Sequence, residues 1–321
     1  MKNLGVVSRR IDFCDYLSVA QIFLARNFFL EHELSNDDIK PRLLGHWGTC
    51  HGINVVYANL KAYFQSNPDF SFILGPGHGF PALQANLLLD SELAKVDSRA
   101  TLSRSGIEYI CRNFSWPGGF PSHASPITPK VVCEGGELGY ALATAYGQAL
   151  GHPEKTIAVL IGDGEFETAT TLASLNLPKL FSHRVHGRVL PILHLNGYKI
   201  SGPTIAARKP KSELVQMLSG FGYRVFWLED ESPEAFQQIL HQANHAQDPP
   251  FIIFKNTKGR GGPAQVKSRK VADNYLAHQV PLPNAKTDFD ERQVLARWLK
   301  SYNFPALFAE FSQNNSGGPT W

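Results

Sequence analysis

Methionine and cysteine are scarce: two and four, respectively, in 321 residues. Cys14, Cys50, Cys111 and Cys133 show no CxxC or CxxH spacing. That argues against a cysteine-built metal site and leaves reduced thiols of a cytoplasmic protein as the expectation. Long apolar runs are missing too. No stretch reaches the roughly 20 residues of a bilayer-spanning helix, and the amino terminus carries no signal-peptide core. Charge is modest, with 18% charged residues and a formal net charge of +3. Such a balance gives no push toward nucleic acid or a membrane. There is no internal repeat, and the longest low-complexity tract is the terminal Ser312 to Thr320. What remains is 43% hydrophobic, enough for one large or two small domains with a substantial core.

The informative stretch runs from Ile157 to Gly202. Ile157-Ala158-Val159-Leu160-Ile161 is short, apolar on both faces and ended by glycine, which reads as a buried parallel strand. Gly162-Asp163-Gly164 follows, then a stretch with helical character from about Glu167 to Leu180. A second apolar run, Val189 to Leu195, delivers Asn196-Gly197-Tyr198. Two strand ends thus each present a short oxygen-bearing side chain framed by glycine. Ligands of open α/β sheets sit outside the carboxyl ends of the strands. Asp163 and Asn196 are hard oxygen donors, and Mg2+ takes few protein oxygens and completes its shell with water and phosphate. The physical reading is a Mg2+–diphosphate clamp, although a GDG by itself is also a plain turn after a strand.

Read in order, residues 1–12 form an arm, and 16–29 carry helical spacing. His46 stands between glycines next to Trp47, where the backbone can approach a ligand; the same pattern fits a core histidine packed on tryptophan. Helix is expected over 53–64 and strand over 70–74. That strand runs into Gly75-Pro76-Gly77-His78-Gly79, a second histidine at a glycine-rich strand end. Residues 114–129, rich in Pro, Gly and Ser, read as a fixed loop with a third candidate, His123. Glu134 to Tyr140 opens an alanine-rich helix over 141–150 whose start suits a phosphate. Further on, helix is expected over 212–221, 233–244 and 290–302 and strand over 223–227 and 250–255. Residues 257–263 read as a flexible basic loop, and the tail from Ser312 as polar and disordered. Strands alternating with helices argue an α/β, doubly wound parallel sheet.

Together these motifs resemble the phosphoketolases, which are thiamine-diphosphate lyases. GDG followed by Asn some thirty residues on is similar to the thiamine-diphosphate motif, and here 31 residues separate Gly164 from Asn196. DYLSVAQIFL, IKPRLLGHWGT, GPGHG, FSWPGGFPSHASPITP, EGGELGYAL, VLIGDGEFET, VLPILHLNGYKI and AHQVPLP run in the family's order from about residue 16 to Tyr302. The resemblance implies an α/β thiamine-diphosphate-binding Rossmann-like domain over 13–311, between the 1–12 arm and the 312–321 tail. It implies Mg2+ on Asp163, Asn196 and the Tyr198 carbonyl. Gly162, Gly164 and Glu165 would line the diphosphate site, and Gly136, Glu137 and Leu138 would lie along the cofactor. His46, His78, His123 and His278 would face the sugar and the thiazolium. The implied reaction cleaves xylulose 5-phosphate or fructose 6-phosphate with inorganic phosphate, yielding acetyl phosphate and an aldose phosphate.

The chain also departs from the family pattern. Phosphoketolases are far longer, and their middle domain carries the glutamate that activates the aminopyrimidine ring. The expectation is therefore an incomplete enzyme, needing a homo-oligomer or a complementary chain that bears the pyrimidine domain. The alternative is a non-catalytic relic or regulatory partner. Ala264 stands where the family has lysine, with Lys267 the nearest replacement. Ala169-Thr170 and Leu175-Asn176 replace Gly-Pro and Trp-His, and Cys50-His51 replaces Thr-Pro.

Overall fold

The computed structural model describes residues 4–65, 67, 69–182 and 185–315. In chain order the regular elements begin with α1 (Leu4–Phe23), α2 (Cys50–Phe64), β1 (Phe70–Leu74), α3 (Phe80–Leu89), α4 (Arg104–Asn113) and α5 (Ala141–Leu150). Then come β2 (Thr156–Gly162), α6 (Asp163–Phe166), α7 (Ala169–Ser174), β3 (Arg188–Leu195), α8 (Lys211–Gly220), β4 (Arg224–Leu228), α9 (Pro233–Asn244) and β5 (Pro250–Lys255). A short ladder, β6 (Gln265–Val266) and β7 (Arg269–Lys270), precedes α10 (Phe289–Ser301) and α11 (Phe304–Asn315). The described residues fall into two units. Unit 1 draws on Met1–Ala58, His78–His123 and Lys258–Trp321, and unit 2 on Asn59–Gly77 and Ala124–Thr257.

Unit 2 is built on a five-stranded parallel sheet of order β1-β2-β3-β5-β4. β2 and β3 read as continuous apolar runs because both of their faces are buried. On one face Ile157, Val159 and Ile161 pack with Leu142, Ala145 and Ala149 of α5 and with Leu214 and Leu218 of α8. The alanines of α5 let that helix lie close on the strands. Phe254 of β5 meets Phe236 of α9 with ring centroids 5.4 Å apart. Each such side chain contributes roughly 1.5–3 kcal/mol on burial. Ser232 caps α9, accepting from the Ala235 amide, and Pro233 opens it, so this helix starts where capping preference places it.

Unit 1 is mainly helical. The Tyr16 ring of α1 stacks on Phe304 of α11 at 4.0 Å, and Phe13 lies 5.2 Å from both Phe304 and Phe311. Every residue of α3 is buried. Several buried polar side chains inside this packing bond to one another. His51 meets Asp15 at 2.6 Å, and Asn54 donates to Asp15 at 2.7 Å. Asn86 donates to Asn54 at 2.8 Å, Arg10 donates to Asn86 at 3.1 Å, and Arg10 pairs with Asp90 at 2.9 Å.

Several expected boundaries move. Residues 4–12 are the first half of α1, with Val7, Arg10 and Ile11 buried, rather than an arm. The helix expected over 16–29 ends at Phe23, and the helical stretch expected over 167–180 is α7 plus a 3-10 turn at Leu177–Leu180. α3, α4 and α11 were not expected, and α11 carries the chain to Asn315, inside the expected tail. Residues 316–321 lie outside the described residues. The 114–129 segment holds no helix or strand, as its composition implies.

Candidate active site

In unit 2, β2 and β3 are neighbours in register, Gly162 pairing with His194, so their carboxyl ends present Asp163 and Asn196 side by side. Both are buried. Asp163 Oδ2 accepts from the Gly197 amide at 2.6 Å and from Thr204 Oγ1 at 3.4 Å. Asn196 Oδ1 accepts from the Tyr198 amide at 3.2 Å. The Asn196 turn needs its glycine, because Gly197 has φ +97°. Glu167 ties the same ends together, accepting from Lys199 and from the Ile205 amide. Among the described residues no three His, Cys, Asp or Glu side chains stand together as a metal site.

Glu165 is 2% exposed. Its oxygens accept from the Gly139 amide at 3.2 Å and the Gly162 amide at 3.3 Å. Burial pushes its carboxyl up to about 7 against those amides, which pull it down. The carboxyl thus links the turn before α5 to the end of β2. Gly136, Glu137 and Leu138 lie exposed in that turn, and Gly136 has open space where a β-carbon would be. The Gly75-Pro76-Gly77 turn after β1 is tight: a β-carbon on Gly77 would lie 2.2 Å from Gly135 Cα.

Unit 1 brings all four expected histidines together. His46 has ring-centroid separations of 5.0 Å to His78, 5.3 Å to His123 and 5.3 Å to His278, and His78 lies 4.9 Å from His278. The chain fixes them by close backbone approach. Gly45 adopts φ +144°, and a β-carbon there would lie 2.6 Å from Ile22 Cγ1. One on Gly48 would lie 2.6 Å from the Ala277 carbonyl oxygen, while the Trp47 amide donates to the Gln279 carbonyl at 3.0 Å. The segments bearing His46 and His278 are therefore pinned to one another.

Burial pulls His46 down to about 4, with His123 and Lys258 adding to the effect. Burial and then Lys258 pull His278 down to about 3. Burial also sets His78 well below its ordinary value, reinforced by its histidine neighbours and Lys258, and lowers His123. All four are neutral imidazoles at neutral pH, each able to donate at one nitrogen and accept at the other. The Nδ1 atoms of His46 and His278 are buried with no hydrogen-bond partner among the described residues. Such orphaned atoms cost free energy unless something pairs with them.

Lys258, which sequence reasoning did not single out, belongs to this cluster. It is 2% exposed, and its charge acts on His46, His78 and His278. Its loop, expected to be flexible, is fixed. The Gly259 amide donates to the Gly48 carbonyl at 3.0 Å, Trp47 Nε1 donates to the Gly259 carbonyl at 3.3 Å, and Tyr302 donates to the Gly261 carbonyl at 3.1 Å. Lys267 does not replace the missing lysine at Ala264 inside this cluster; it is exposed and paired with Asp288.

The XFP N-terminal domain model matches residues 2–317. A probable phosphoketolase of Brucella suis biovar 1 is 40% identical, over 96% of this chain and 42% of that relative. One from Bradyrhizobium diazoefficiens is 38% identical, over 95% of this chain and 41% of that relative. The chain thus spans about two fifths of the curated relatives it matches. Among solved structures, a transketolase from Leishmania mexicana superposes with a TM-score of 0.63 at 18% identity, covering 98% of this chain and 48% of that one. A transketolase from Campylobacter jejuni gives 0.64 at 17% identity, covering 99% and 49%. These likenesses show the fold.

Proposed function

The chain belongs to the phosphoketolase family, matching its XFP N-terminal domain, and on that premise we propose that it is the thiamine-diphosphate-holding part of a phosphoketolase-type lyase. The reaction is cleavage of xylulose 5-phosphate or fructose 6-phosphate by inorganic phosphate to acetyl phosphate and an aldose phosphate. The observation that carries this reading is the convergence of His46, His78, His123 and His278, neutral and partly unpaired, in one cluster.

Thiamine diphosphate, when bound, supplies the electron sink for breaking a carbon–carbon bond. The residues present fit it. Asp163, the Asn196 side-chain oxygen and the Tyr198 carbonyl are the hard oxygens that would hold Mg2+. Gly162 and Gly164 leave the backbone bare for a diphosphate, and Gly136, Glu137 and Leu138 offer an exposed turn along it. Glu165 serves from behind, holding the end of β2 against the Gly139 turn. The histidines orient the sugar hydroxyls and move protons, work suited to imidazole near neutral pH. Lys258 supplies a buried positive charge beside them for anionic groups.

The glutamate implied by the resemblance belongs to a part of the relatives that these residues do not span. A general acid–base contribution is worth about 10²–10⁴-fold, so turnover by these residues is expected only together with that part of the relatives. Ile127, Leu138, Ile200 and Ile205 are exposed on loops of unit 2, which supports a covering partner. A second reading, a non-catalytic relic or regulatory partner, is favoured by Ala264 and by the engagement of Lys267 with Asp288. Hydroxamate detection of acetyl phosphate from xylulose 5-phosphate, phosphate, Mg2+ and thiamine diphosphate decides between them. The expected result is no product from this chain alone and product once the remaining domains of a full-length phosphoketolase are added. Turnover by the chain alone would overturn the need for a partner, and none under either condition would leave the relic reading standing.

A further inference from the structure

Lys40 is a buried cation that the proposed reaction does not use. It is 6% exposed and has no carboxylate partner among the described residues. Its Nζ donates to the Gln21 carbonyl, in the last turn of α1, at 2.6 Å, and to the Phe114 carbonyl at 3.4 Å. It also lies 5.6 Å from the centre of the Phe114 ring. The Gln21 contact is a cation at a helix carboxyl end, where the backbone dipole favours it.

These contacts join the two segments that carry histidines. Phe114 begins the irregular 114–123 segment that ends in His123. Lys40 begins the segment that ends in His46, and that segment leans on the same two supports. A β-carbon on Gly45 would lie 2.6 Å from Ile22 Cγ1 and 3.5 Å from Phe114 Cε1. The Lys40 amide adds a bond to the Phe23 carbonyl at 2.9 Å.

We propose that Lys40 is a positioning residue for His46 and His123: its ammonium ties the last turn of α1 to the start of the 114–123 segment, and deprotonation slackens that tie. The inference rests on the reading of those two histidines as site residues, but its test needs no cofactor and no turnover.

Burial pulls the Lys40 ammonium down to about 8, opposed by Cys111. Cys111 faces it from α4, and that thiol, itself in the fields of Lys40 and Glu108, is pushed up by burial to about 12. It therefore stays neutral while Lys40 titrates. Tyr16, near Cys111 on α1, is held well above its ordinary value by burial and stays neutral as well. Charge-assisted hydrogen bonds are roughly twice as strong as neutral ones, so losing the charge weakens both carbonyl contacts. The fold as a whole gains, because a buried unpaired charge is relieved. The sign follows: a lysine with a depressed folded pKa makes stability rise with pH from about 8 toward its unfolded value.

The test is histidine-ring NMR of the full chain between about pH 7 and about pH 10, a span set by the ordinary lysine range. Signals of His46 and His123 are assigned by single His→Asn variants, with Lys40→Arg as the control. The expected result is a shift of both signals with a midpoint of about 8 and a gain in thermal stability relative to Lys40→Arg across the transition. Lys40→Arg, which stays charged, holds the low-pH pattern throughout. Lys40→Met shows the high-pH pattern already at neutral pH; if it does not fold, the arginine comparison decides alone. Signals that stay still across the range, or that move equally in Lys40→Arg, overturn the proposal.

Discussion

Glu165 and Gly75 compete for one volume: a β-carbon on Gly75 would lie 2.1 Å from Glu165 Oε2 and 2.6 Å from the Leu160 carbonyl oxygen. The glycine at the end of β1 is what lets the carboxyl sit behind the β2 strand end. Gly75→Ala is therefore expected to destabilise the chain by roughly 1–3 kcal/mol, the usual cost of overpacking. Gly136→Ala, with open space around it, is expected to stay within about 0.5 kcal/mol, as surface changes do. Urea unfolding of both variants checks this. Equal effects would mean that the carboxyl does not hold the position described.

Much of the sheet was legible because its signals are local. β1, α5, α9 and β5 keep the boundaries that their apolar runs and caps predict. Of the unexpected helices, α4 carries a Ser103 cap and an amphipathic face that the sequence reading passed over, whereas α3 lacks such signals. α3, FPALQANLLL, is apolar all round and shows no amphipathic period. The first half of α1 carries Arg9 and Arg10, which reads as a solvated arm, yet Arg10 is buried because Asp90 and Asn86, distant in sequence, receive it. The candidate site divides the same way. His46, His78 and His123 were visible through flanking glycines or the loop composition, and His278 through resemblance to the family. Lys258 was not visible, since a lysine in a Gly- and Arg-rich segment gives no local sign of burial.

The histidine cluster makes an acid-sensitive contribution to stability. A histidine whose folded pKa is depressed binds fewer protons folded than unfolded, so its contribution is intact above the unfolded value, about 6.5, and is lost as pH falls toward the folded value, about 4 for His46. Glu165, raised to about 7, acts oppositely: its contribution is present below the unfolded carboxyl range and fades as pH rises through about 7. Comparing wild type with His46→Asn isolates the histidine part. The stability difference at neutral pH is expected to shrink steadily down to about pH 4. Parallel curves would show that His46 is not depressed by its surroundings.

The central claim is that unit 2 holds thiamine diphosphate through Mg2+ on Asp163 and Asn196. Calorimetric titration of the cofactor into the 321-residue chain, with and without Mg2+, tests it most directly. The account predicts weak binding that requires Mg2+ and is abolished in Asp163→Ala while the variant remains folded. Equal heat with and without Mg2+, or an affinity unchanged in Asp163→Ala, would contradict it.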